Sequence, residues 1–222
     1  MSNDFSSNSC DGCCRFFLLK IIDWIAPDLS LKFLLNFVYA AFTESFYLIA
    51  VTALYGNDLQ RRNPKSLSNK DQTPVLFIHG LYHNSSGWWK YLKIFQEAQI
   101  EPLFTMNLGS PFGSINQHAY RINEMVDHIQ KVTGRKDIIL VGHSMGGLAA
   151  TKFALDLATE DTRVISIVTL GSPLKGTWVA NYLGWGESVK EMRMNSPYAL
   201  SLSEKFVKMK KFIFFILQLG PI

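Results

Sequence analysis

The run Gly142-His143-Ser144-Met145-Gly146-Gly147 constrains this chain more than any other stretch. An apolar segment of strand type, Ile138–Val141, leads into it, and Leu148-Ala149-Ala150, small and apolar residues suited to a helix, follow it. A serine with glycines two before and two after, between a buried strand and a helix, fits a tight strand-to-helix turn. The glycines omit side chains that would collide across that turn. The serine hydroxyl is then presented at the helix N-terminus, where positive potential favours developing negative charge. On this reading Ser144 is the candidate nucleophile, and Gly142, His143 and Gly146 build the turn around it.

The residues from Pro74 onward alternate strand-like and helix-like stretches. Val75–His79 is a short apolar run ending at Gly80, as expected of a fully buried strand. Pro102–Leu108 is a weaker strand. Ile115–Thr133 has helical length, with Ile115, Ala119, Ile122, Met125, Val126 and Ile129 near one face and Gly134 to end it. Strand Asp137–Val141, helix Gly146–Ala158 and strand Val164–Leu170 follow, the last closed by Gly171-Ser172-Pro173. Gly176–Ser203 is a mixed segment of helices and loops, expected to form a cap, and Lys211–Leu217 is again of strand type. This alternation predicts an α/β fold with a mostly parallel sheet and helices on both faces.

The first 56 residues are different. A polar tail carrying Cys10, Cys13 and Cys14 precedes two apolar segments, Phe16–Ala26 and Leu31–Leu54. An odd, clustered cysteine set is no disulfide framework and, with no histidine nearby, a poor zinc site. A surface tail and an S-acylated one both fit it. Leu31–Leu54 has the length of a membrane span, but Lys32, Asn36 and Glu44 fit better a helical pair on the core or along a membrane surface. Polar, breaker-containing residues 57–73 read as a linker, leaving 74–222 as the main domain. The start has no basic segment before an apolar core, so no secretory signal is read and a cytoplasmic or membrane-associated location is expected. The formal net charge of +4 is too small, and its basic residues too scattered, to argue for nucleic acid.

Val75–Gly80, Val141–Gly147 and Thr169-Leu170-Gly171-Ser172-Pro173-Leu174-Lys175-Gly176 resemble the ordered motifs of bacterial-type triacylglycerol lipases and related esterases of the α/β-hydrolase superfamily. Met194-Asn195-Ser196-Pro197-Tyr198 resembles a cap-region pattern of the same family, and Leu174 stands where that family often has histidine. The resemblance implies an α/β-hydrolase fold with Ser144 as nucleophile. It also implies an oxyanion hole made by the backbone N–H groups of Leu81 and Met145. Gly80 would allow close backbone approach. His79, which precedes the nucleophile, would brace the loop by hydrogen bonding rather than act as base. Such chemistry requires no metal or organic cofactor, and its partner is an acyl-ester or lipid substrate, with a membrane surface as a second candidate.

The family's chain order is nucleophile, acid, histidine. All five histidines (His79, His83, His118, His128 and His143) precede Ser144. His118 and His128 are expected to face solvent or pack. Asp156, Glu160 and Asp161 come too early for the acid, and Glu187, Glu191 and Glu204 fall in the cap. The triad acid and base are therefore unassigned, and the sequence reads as a hydrolase incomplete at its C-terminus. Two functions follow: a serine ester hydrolase working through an acyl-enzyme, or a catalytically impaired, non-catalytic relative. Tyr82, Trp88, Trp89, Trp178, Tyr182 and Trp185 could line an acyl pocket or belong to the core.

Overall fold

In a computed structural model, residues 33–39, 42, 71–182, 184–208 and 213–217 are described. The chain divides into two units, Met1–Ala50 and Val51–Ile222. Within the first, residues 33–39 are helical. The cysteine tail, Phe16–Ala26, most of Leu31–Leu54 and most of the 57–73 linker lie outside the described residues. Among those described, no helix is long and apolar enough to cross a membrane.

Among the described residues the second unit holds five strands: β1 Val75–Ile78, β2 Leu103–Met106, β3 Asp137–His143, β4 Arg163–Leu170 and β5 Ile213–Leu217. All pair in parallel in the order β2-β1-β3-β4-β5. Every residue of β1 and β2 is buried, as a sheet covered on both faces requires. Alternation sends successive side chains to opposite faces. Leu76, Ile78, Ile138 and Leu140 pack in one cluster with helices α2 (Ile115–Thr133) and α3 (Met145–Asp156). Val75, Phe77 and Val141 pack in the other with Trp88 and Leu92, where a 3-10 turn, Ser85–Trp88, runs into α1 (Trp89–Glu97).

Helix α2 has clear boundaries. Ser114 Oγ accepts from Gln117 N–H at 3.1 Å while Ser114 N–H donates to Gln117 Oε1 at 3.0 Å, a reciprocal cap satisfying two donors. Gly134 closes it at φ 71°, a left-handed turn that glycine adopts without strain. Helix α3 starts at Met145, one residue before the expected Gly146, because β3 continues to His143 and the chain turns within Ser144 alone. It stops at Asp156, where Leu157 N–H and Ala158 N–H both turn to the Phe153 carbonyl. The segment after β4 resolves into a 3-10 turn, Trp178–Asn181, and helices α4 (Glu187–Glu191) and α5 (Pro197–Lys208).

Candidate active site

Strand register brings the site together. Ile78 of β1 lies beside Gly142 of β3, and His143 beside Leu170 of β4. The three carboxyl ends therefore converge at one edge of the sheet, the edge at which open parallel sheets bind ligands. Ser144 N–H continues the ladder to the Leu170 carbonyl at 2.9 Å. The backbone then reverses at Ser144, with φ 51° and ψ −121°. A side chain at positive φ costs energy that only the surroundings can hold in place.

The surroundings are the flanking glycines. A Cβ at Gly142 would stand 2.5 Å from the Cα and N of Gly147, and one at Gly146 would stand 2.5 Å from the Ile78 carbonyl oxygen and collide with that of His79. A Cβ at Gly80 would lie 3.1 Å from Ser144 Cβ and 2.9 Å from His143 Nδ1. The loop after β1 is thus held against the serine. Neither Leu81 N–H nor Met145 N–H, the N–H of the residue after Ser144, donates to any group among the described residues.

His79 is buried and uses both ring nitrogens. Its Nε2 accepts from Leu108 N–H at 3.0 Å, so its Nδ1 carries the proton donated to the Gly80 carbonyl at 2.8 Å. Desolvation lowers its pKa to about 4, against the Gly80 hydrogen bond, which raises it; His83, His118 and His143 lower it further. His118, also buried, bonds the Leu108 carbonyl through Nδ1 at 3.2 Å. His83 and His143 stand edge to face with ring centroids 5.7 Å apart. His128 is half-buried on α2. No hydrogen bond among the described residues joins Ser144 Oγ to a histidine or a carboxylate.

Four of the six carboxylates considered from sequence are occupied elsewhere. Asp156 accepts from Lys152 and Lys205, and Asp161 from Lys136. Glu187 pairs with Lys190. Glu191 Oε2 accepts from Ile115 N–H at 2.6 Å, capping α2, and burial raises its pKa. Of the six aromatic side chains considered for an acyl pocket, Trp88 belongs to the core, whereas Tyr82, Trp89, Trp178, Tyr182 and Trp185 are exposed. Among the described residues no three His, Cys, Asp or Glu side chains converge as a metal ligand set.

Residues 73–207 match the family model described as alpha/beta hydrolase fold. The chain belongs to the α/β-hydrolase family. Among its relatives, a triacylglycerol lipase of Pseudarthrobacter phenanthrenivorans is 26% identical over 136 residues, covering 58% of this chain and 40% of that protein. A (lyso)-N-acylphosphatidylethanolamine lipase of Homo sapiens is 26% identical over 163 residues, covering 64% and 47%. The crystal structure of the mature Bacillus licheniformis lipase BlEst2 superposes with a TM-score of 0.58 at 19% identity, over 69% of this chain and 68% of that one. The α/β-hydrolase chain thus spans less than half the length of the curated relatives it matches.

Proposed function

We propose that this α/β-hydrolase chain carries the nucleophile and oxyanion half of a serine ester hydrolase acting on acyl esters of lipid type. The supporting observation is the strained turn at Ser144 with two backbone N–H groups, of Leu81 and Met145, that are uncommitted among the described residues. Ser144 Oγ attacks the acyl carbon, and the carbonyl oxygen takes up negative charge facing those donors. Collapse expels the alcohol and leaves the acyl group on Ser144; water then attacks the acyl-enzyme and releases the acid. A general base has to accept the Oγ proton and return it to the departing alcohol. The names of the lipase relatives support a lipid or ester substrate, and a membrane surface remains part of the same proposal.

One observation favours a second reading, a catalytically impaired hydrolase. None of the five histidines is hydrogen-bonded to the Ser144 hydroxyl among the described residues. Release of p-nitrophenol from short-chain esters separates the two. An ester hydrolase gives release that Ser144→Ala abolishes. Release that stays within about 10³–10⁴ of the water rate fits an oxyanion site without a base. Equal release by both proteins refutes the assignment of Ser144.

A further inference from the structure

We infer that His118 is a positioning residue for the oxyanion donor at Leu81, acting through the backbone of Leu108 and the ring of His79. The inference rests on the oxyanion role proposed above for Leu81.

Leu108 sits two residues past the end of β2 and is buried. Buried peptide groups need partners, yet no strand or helix supplies them here. Its N–H goes to His79 Nε2 at 3.0 Å and its carbonyl to His118 Nδ1 at 3.2 Å. Among the described residues, two imidazole rings are its entire backbone hydrogen bonding.

These bonds fix proton positions by elimination. An N–H can only donate, so His79 Nε2 is unprotonated and Nδ1–H faces Gly80, the residue before Leu81. A carbonyl can only accept, so His118 is also the Nδ1–H form, with a bare Nε2. That Nε2 is buried and has no partner among the described residues. An apolar side chain of similar volume would fill the site on α2 without an unpaired nitrogen, and leaving a buried polar atom unpaired is unfavourable. The histidine is explained by what its other nitrogen does: it holds the Leu108–Gly109 peptide by its carbonyl, which restrains Leu108 between two fixed ends and so steadies the preceding Asn107–Leu108 peptide, whose N–H meets His79. His79 in turn holds the Gly80 carbonyl, and the Gly80–Leu81 peptide plane sets where Leu81 N–H points. Desolvation lowers the pKa of both rings, which keeps both neutral.

The test compares the wild type with His118→Asn, whose amide can donate from the position of Nδ1, and His118→Leu, which keeps volume without a donor. Long-range ¹H–¹⁵N NMR reads which nitrogen of His79 is protonated, and hydrogen exchange reads the Leu108 and Leu81 amides. The expected result is an Nδ1–H His79 in the wild type and in His118→Asn. In His118→Leu, His79 becomes a tautomer mixture and Leu108 exchange accelerates about tenfold, the effect of one lost hydrogen bond. Fluorophosphonate labelling of Ser144 then slows in His118→Leu and recovers in His118→Asn. A packing role reverses the order, with leucine the milder change, and overturns the inference. So does an Nε2–H His79 in the wild type, which needs no variant. If the wild type takes no probe at Ser144, the oxyanion reading fails by itself, while tautomer and exchange still decide whether His118 controls the loop.

Discussion

Replacing Ser144 by glycine should stabilise the fold while removing the nucleophile. Ser144 sits at φ 51°, ψ −121°, where a side chain is strained by about 1–3 kcal/mol. Glycine reaches this region freely but is more flexible in the unfolded chain, which costs back about 0.5–1 kcal/mol relative to alanine. The net expectation is that Ser144→Gly is more stable than Ser144→Ala by about 1 kcal/mol. Ser144→Ala, which keeps a Cβ in the strained turn, should stay near the wild type because the hydroxyl has no partner among the described residues. Urea unfolding of the three proteins, analysed at a common m-value, gives the comparison. If Ser144→Ala equals or exceeds Ser144→Gly in stability, the turn is not strained at Ser144 and the geometric argument for a nucleophile elbow loses its basis.

Gly146→Ala should destabilise by about 3 kcal/mol, since its Cβ would meet the backbone carbonyls of Ile78 and His79, which cannot swing aside; a thermal melt near that of the wild type would contradict this. His79 contributes a pH dependence of definite sign. Its folded pKa of about 4 lies below its ordinary 6.5, so the unfolded chain binds the proton first. Its contribution is complete above pH 6.5 and is lost as pH falls towards 4, with about 2 kcal/mol gone by pH 5. His118 shifts in the same direction, and equal unfolding free energies at pH 7 and pH 5 would refute the neutral, buried histidines. Ser114→Ala, which removes the reciprocal cap of α2, should cost about 1 kcal/mol in chemical denaturation.

The elements readable in the sequence are those whose cause is local. β1 is an unbroken apolar run because both its faces are covered. Helix α2 announces itself through its apolar spacing and the Gly134 stop, and the turn at Ser144 through glycines whose absent side chains match contacts found within the turn. The ends of β2 were less legible: Pro102–Leu108 shortens to Leu103–Met106 because Leu108 leaves the ladder to bond two histidines. Those partners lie 29 and 10 residues away, so no spacing rule reports them, and His118 reads as a solvent-facing or packing residue until the loop is seen. The aromatic residues were ambiguous for a similar reason. Nothing in the pair Trp88-Trp89 says that the first enters the core beside Phe77, with ring centroids 5.1 Å apart, and the second remains exposed. Asp156 and Glu191 are likewise ordinary acids in sequence; the Lys205 partner of the first and the Ile115 N–H partner of the second come from packing of the segment after β4.

The most direct test of the account is mass spectrometry of the folded chain after exposure to a fluorophosphonate probe. The account predicts one adduct per chain, mapped to Ser144 and absent in Ser144→Ala. A folded chain that takes no adduct, or takes it equally when Ser144 is alanine, would contradict the claim that this turn presents a reactive serine.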